Sequence, residues 1–401
     1  MNIKEVTPGV KYIGVDDNEL DLFEGQYALP EGMSYNSYFI DDDKLCILDT
    51  ADARKTAEWL ANLDAVLDGR EPDYLVVHHM EPDHSANIKM LMNKYPKLVA
   101  YCSQKAVPMM KRFFDVDFDD RVVAVKEGDT LSLGKHELTF IMAPMVHWPE
   151  VMVSYDSYDK ILFAADAFGK FGSLSAATEG MADDKFHATV DGWACEARRY
   201  YFNICGKYGV MVNTLLKKLA KYEIKHICSL HGPIISEDLE YYIKTYMTWS
   251  SYAPEDKGIF IAYSSLHGNT EEAAKKLAEI IQETSDVKVS ISDLRRDDMH
   301  EAIEDAFRYD RLVVAAPTYD GGLMPVMEDF ISHLKAKAYQ NRKVAIIENG
   351  SWAPVAGKKM LEAFETMKNI TIVEPIVTVE STVKAKTIED LTTLANALVN
   401  E

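Results

Sequence analysis

From residue 258 onward the chain alternates between short apolar runs of strand length and stretches of helical spacing, and this alternation is its strongest constraint on fold. Strands are expected at 259–263, 287–291, 312–316, 344–347 and 370–375. Helices are expected at 270–281, near 300–307, at 326–334, at 355–367 and from 387. A strand that returns through a helix runs parallel to the one before it, so five such units predict a doubly wound parallel α/β sheet.

The preceding part has another texture. Strand-like runs at 38–40, 45–48, 74–78, 98–101, 138–142, 152–154, 161–164 and 226–230 are broken by acidic or glycine-containing turns, with helical stretches between them. Helical spacing over 236–252 then stops at Ala253-Pro254-Glu255-Asp256-Lys257-Gly258, which reads as an interdomain joint. Two domains are expected, 1–252 and 253–401, as the length of 401 residues also suggests. A net charge of -21 repels nucleic-acid phosphates and anionic membranes and leaves small molecules or proteins as partners. The five cysteines form no C-x-x-C pair, so neither a disulfide framework nor a thiolate metal site is expected. With no signal peptide or membrane-spanning run to be read, the expectation is a cytoplasmic protein.

Chemistry concentrates in Val76-Val77-His78-His79-Met80-Glu81-Pro82-Asp83-His84-Ser85, where an apolar strand gives way to imidazoles and carboxylates. On an extended loop His79, Glu81 and Asp83 share a side on which one cation gathers them, while His84 faces a second ion. A solvated acidic turn is the other reading. His147, Asp166 and His231 each follow an apolar strand, where metal ligands often sit; any one alone is more often a capped loop residue or a satisfied core histidine, but together they support one another. The remaining histidines, His78, His136, His187, His226, His300 and His333, lack such neighbours and read as structural or surface residues; alternation turns His78 away from His79.

After the strand at 259–263 comes Ser264-Ser265-Leu266-His267-Gly268-Asn269-Thr270, opening a helix. Backbone N–H groups at a helix start favour an anion, Gly268 permits close approach, and Ser264, Ser265, Asn269 and Thr270 can donate hydrogen bonds. With neither G-x-G-x-x-G nor G-x-x-x-x-G-K-[ST], a mononucleotide fits better than a dinucleotide or a nucleoside triphosphate. Pro317-Thr318-Tyr319-Asp320-Gly321-Gly322 and Asn349-Gly350-Ser351-Trp352-Ala353-Pro354 reach the same crevice in a doubly wound sheet, placing Tyr319 and Trp352 to flank a flat ring. His267 either contacts that ring or faces solvent. A receiver-type sheet is the structural competitor, but it needs an acidic cluster where this chain has Ser264 and Ser265.

The His79-x-Glu81-x-Asp83-His84 run with His147, Asp166 and His231, together with Gly32-Met33-Ser34-Tyr35-Asn36-Ser37-Tyr38 and Leu230-His231-Gly232-Pro233, resembles the binuclear motif of the flavodiiron family over the whole chain. That resemblance implies a metallo-β-lactamase-like αββα sandwich followed by a flavodoxin-like domain with flavin mononucleotide (FMN). It also implies two non-haem irons: His79, Glu81 and His147 on one, Asp83, His84 and His231 on the other, and Asp166 between them. Zinc hydrolases of the same superfamily usually carry histidine where this chain has Glu81, and an anionic oxygen ligand suits iron. The implied activity is reduction of dioxygen to water, nitric oxide to nitrous oxide, or both. A rubredoxin or another separate electron donor and a head-to-tail homodimer, or a dimer of such dimers, are implied as well. A metal-dependent hydrolase with a docking domain is the alternative enzyme, and a flavoprotein electron carrier or gas sensor the alternative binding module.

Overall fold

In the computed structural model, which describes residues 3–115, 118–175 and 185–400, the chain divides into two compact units. The first comprises 1–201 and 210–247, the second 202–209 and 248–401. The excursion at 202–209 is not visible in the sequence. It follows from packing, because Phe202 stacks on Phe307 at 4.3 Å and the Tyr252 hydroxyl takes the Gly209 amide at 3.1 Å.

The first unit is built on two sheets. Seven strands pair in the order Lys4–Thr7, Val10–Tyr12, Tyr38–Asp41, Leu45–Leu48, Tyr74–Val77, Val99–Ser103 and Val122–Val125. Five more pair in the order Thr130–Ser132, Glu137–Met142, Met152–Asp156, Ile161–Phe163 and His226–Cys228. Their inner faces meet in one core, where Val10, Tyr38, Ile40, Leu48 and Val76 of the first sheet lie against Leu138, Phe140, Met152, Ile161 and Phe163 of the second. Helices such as Thr56–Leu67 bury Trp59 and Leu63 and leave their charged faces outside, which completes the αββα sandwich. Sequence periodicity missed Lys4–Thr7, Val10–Tyr12, Val122–Val125 and Thr130–Ser132. All four are short and lie toward sheet edges, where alternation has little length in which to show.

In the second unit the parallel order is Val289–Asp293, Asp256–Tyr263, Tyr309–Tyr319, Arg342–Asn349 and Ile370–Val379. By chain order this is 2-1-3-4-5, the flavodoxin arrangement, with its switch point beside the first strand. The helices Asn269–Thr284 and Ala385–Asn400 bury Leu277, Ile281, Leu391 and Leu394 against Ile259, Ile261, Val313 and Val377. The last strand extends to Val379, beyond the expected 375, because the register shift in its pairing with Arg342–Asn349 lets the ladder resume after Pro375. Among the described residues no helix is long and apolar enough to cross a membrane.

Candidate metal and flavin sites

The loop after Tyr74–Val77 is extended only as far as Glu81. Pro82 then starts a one-turn helix, Pro82–Ser85, which corrects the expectation of a single extended loop. Its turn carries Asp83 away from His79 and Glu81 and sets it beside His84. Four ligand-bearing side chains, His79, Glu81, His147 and Asp166, offer atoms within 4.8 Å of one another, and Asp83, His84 and His231 do the same. His79 Nε2 and His147 Nε2 lie 3.1 and 3.0 Å from Glu81 Oε2. They lie 3.2 and 3.3 Å from Asp166 Oδ2. On the other side His84 Nε2 and His231 Nε2 are each 3.3 Å from Asp83 Oδ2, and Asp166 Oδ1 is 3.3 Å from His84 and 3.8 Å from His231. Asp166 thus turns one oxygen to each group.

These contacts leave polar atoms without hydrogen-bond partners. Both oxygens of Asp83, both of Asp166 and Nδ1 of His84 are buried and unpaired by hydrogen bonds, and the Nε2 atoms of His84 and His231 face each other at 3.0 Å. Burial of such groups without compensation is costly, and convergent lone pairs are what a cation resolves. In the protein's own field, burial opposes the charge of Asp166, but the charge of His79 and the close approach of the His147 and His84 rings hold its carboxyl well below the usual carboxylate range. Burial likewise opposes the charge of His147, yet the neighbouring carboxylates of Asp166 and Glu81 push its pKa up to about 9. Asp83 is pushed up to about 7 by burial, with the charges of Glu81 and Asp166 adding to it. Protons therefore compete with a metal for these side chains.

An outer layer fixes the ligands, and sequence reasoning missed most of it. Glu150 Oε1 accepts from His79 Nδ1 at 2.7 Å and from the Met80 amide at 2.9 Å. The Ser34 carbonyl accepts from His231 Nδ1, and its hydroxyl from the Gly232 amide, both at 2.7 Å. Asn36 donates to the carbonyls of Ser229 and Gly232 at 2.8 Å, so the 32–38 segment holds the His231 loop. His78, read as structural, lies between Asp49 at 2.5 Å and Ser154 at 2.8 Å. That chain ties the two sheets together below the site. Nothing in the sequence marks Asp49 or Glu150, whereas Ser34 and Asn36 stand in a motif already singled out.

In the second unit a cavity of about 470 Å³ lies over the carboxyl ends of the strands. Of the expected flavin contacts, Ser265, His267, Asn269, Thr270, Pro317, Thr318, Asp320, Gly321, Asn349, Gly350, Ser351 and Trp352 line it. Leu266, Ala353 and Ser381 also line it and were missed; Ser381 follows the fifth strand, and its hydroxyl lies 2.8 Å from that of Ser351. Ser264, Gly268 and Tyr319 are not among its lining residues. Ser264 is wholly buried, with a hydroxyl that has no hydrogen-bond partner. Gly268 has φ +91° and caps the helix Asn269–Thr284, its amide donating to Ser265 Oγ at 3.0 Å. Thr318 serves a second purpose, because its hydroxyl takes the amides of Val355 and Ala356 at the start of the helix Ala356–Glu365.

Comparison with known proteins matches both units. Residues 33–232 match the family model described as ODP family beta lactamase, and residues 260–369 match the model described as Flavodoxin domain. The structure superposes on rubredoxin oxygen:oxidoreductase from the anaerobe Desulfovibrio gigas with a TM-score of 0.91 at 26% identity, covering 100% of this chain and 98% of that one. The chain belongs to the flavodiiron family. A flavodiiron protein from Giardia intestinalis shares the fold, with a TM-score of 0.88 at 23% identity over 100% of this chain and 97% of the other. The anaerobic nitric oxide reductase flavorubredoxin of Vibrio vulnificus (strain YJ016) is 28% identical over 356 residues, 86% of this chain and 70% of that protein. This flavodiiron protein is an oxidoreductase. Family membership implies FMN and two irons, and the residues fit both, as the cavity lined by Ser265, Asn269 and Thr270 at the start of a helix and the unpaired Asp83 and Asp166 oxygens show.

Proposed function

We propose that the chain reduces nitric oxide to nitrous oxide, dioxygen to water, or both, drawing electrons through FMN from a separate donor such as a rubredoxin. In this reading His79, Glu81 and His147 would hold one iron, Asp83, His84 and His231 the other, and Asp166 would serve both. The observation that carries it is the placement of Asp166, whose two buried oxygens face two separate groups of nitrogen and oxygen donors. Two irons held there would bind diatomic ligands and supply electrons in pairs, while FMN would pass electrons singly or in pairs.

The chain's own residues do the rest. Glu150 and the Ser34 carbonyl fix the tautomers of His79 and His231, so that both rings turn Nε2 inward. Glu24 lies at the edge of the Glu81–His147 group, its pKa pushed up to about 7 by burial and by the charge of Glu81. Phe23 and Tyr35 pack edge-on against His231 at 5.5 and 6.0 Å and keep water from its ring. For FMN, Ser264, Ser265, Asn269 and Thr270 would hold the phosphate, while the loops carrying Tyr319 and Trp352 would flank the ring. The match of both units to flavodiiron proteins disfavours the hydrolase alternative.

Turnover of the chemically reduced, iron- and FMN-loaded protein with each gas in parallel, without oxygen in the nitric oxide arm, tests this reading. Nitrous oxide or water must form with two or four electrons consumed, and inert protein in both arms contradicts it. A head-to-tail pair of chains, also proposed, is tested by co-expressing His147→Ala with Gly268→Val. Random mixing makes half of the dimers mixed, each with one working cross-chain pair, so activity should recover to roughly a quarter of wild type. Confirmed heterodimers without activity reject that arrangement and leave the cofactor assignments standing.

A further inference from the structure

Between the two halves of the ligand cluster most of the charge cancels. Each has one carboxylate of its own, Glu81 or Asp83, and one oxygen of Asp166. What differs lies behind the imidazoles. Glu150, 1% exposed, accepts from His79 Nδ1 at 2.7 Å and is fixed there by the Met80 amide at 2.9 Å, so a carboxylate stands one ring away from that half. Behind His231 there is only the Ser34 carbonyl, at 2.7 Å. Behind His84 the buried Nδ1 meets no hydrogen-bond partner.

A carboxylate behind a ligand imidazole strengthens the inward nitrogen as a donor and locks the ring. A neutral carbonyl does the first less, and an unpartnered ring is held only by packing. We propose that the two metal positions are unequal, with Glu150 as the positioning residue that makes the His79–Glu81–His147 position the tighter one. The Asp83–His84–His231 position is then the first to release its metal. This inference rests on the two-iron reading above and goes beyond it by ranking the sites.

The test is iron release, not turnover. Protein loaded anaerobically with ferrous iron is challenged with ferrozine, the complex is followed with time, and partially stripped crystals are examined by anomalous diffraction. Two phases of one iron per chain are expected, separated by roughly tenfold or more, with the retained iron among His79, Glu81 and His147. Glu150→Gln keeps an acceptor for His79 and removes the charge. It should speed the slow phase by about 10- to 100-fold and leave the fast phase and flavin content as they were. Release in one phase, anomalous density retained by the Asp83–His84–His231 position, or a slow phase unmoved by Glu150→Gln in folded protein would overturn the proposal. If that variant does not fold, the wild-type diffraction result decides by itself. Failure to take up more than one iron per chain would instead overturn the two-iron reading, and this inference with it.

Discussion

The ligand-bearing side chains of the first unit come from four separate stretches of chain and lie almost wholly enclosed, with His79 and His84 at 0% exposure. The flavin loops of the second unit instead leave Trp352 at 92%, Leu266 at 43% and Tyr319 at 40%. An enclosed set of carboxylates and imidazoles is stable only when something neutralises it, so fold and metal are coupled in the first unit. An open cradle whose loops hang from a finished parallel sheet does not need its ligand to fold. Here Ser264 is the exception, being buried at the base of the loop with its hydroxyl unspent.

Asp166→Ala should separate the two units most sharply. Because Asp166 faces both ligand groups, iron should fall toward zero at both positions, while FMN binding in the other unit stays at its wild-type value. Metal analysis and flavin titration of one preparation decide it, and retention of a full iron at either position contradicts the bridging role. A milder cut is Ser264→Ala in the second unit. Loss of a hydroxyl bond to a charged phosphate should weaken FMN by about 1.5–3 kcal/mol, roughly 10- to 100-fold, and leave iron content unchanged. Riboflavin, which lacks the phosphate, should bind the variant and the wild type alike. Equal losses for both flavins would show that Ser264 shapes the loop and does not meet the phosphate.

The smallest effect concerns a histidine of the first unit outside both ligand groups. Burial opposes the charge of His136, but the bond from its Nδ1 to Asp156 at 3.0 Å, with Asp159 and Asp42 nearby, raises its pKa. A pKa raised on folding stabilises the protein when the ring is protonated. The contribution is complete below the ordinary imidazole value of about 6.5 and is lost as pH rises through the raised value. The gap in melting temperature between wild type and His136→Gln should therefore be widest in mild acid and narrow above neutrality. A gap that widens with pH would reverse the sign and refute the assignment.

Legibility in the sequence followed the same division. The second unit was readable nearly element by element, because each strand–helix alternation is local and its binding loops follow strand ends in order. In the first unit the short local run 79–84 was readable as chemistry, but its geometry was not. Pro82 begins a helical turn that regroups Asp83 with His84, and no periodicity announces a single turn. Glu150 and Asp49 were invisible for a related reason. Each acts through a contact to the His78–His79 region from about 70 or 30 residues away, and a lone acidic residue carries no pattern. The division of ligands between two ions came from the family resemblance and not from spacing. Expected flavin contacts such as Thr318 turned out to carry helix capping as well, which a loop sequence cannot separate from ligand binding.

In the proposed function electrons leave the flavin by way of the metal cluster. Protein loaded with iron and FMN, reduced anaerobically and mixed rapidly with nitric oxide or dioxygen, can be compared with iron-free, FMN-loaded protein by following the return of oxidised flavin. With at least one of the two gases the flavin should reoxidise much faster when iron is present, and Asp166→Ala should behave like the iron-free protein. Equal rates with and without iron for both gases would contradict it.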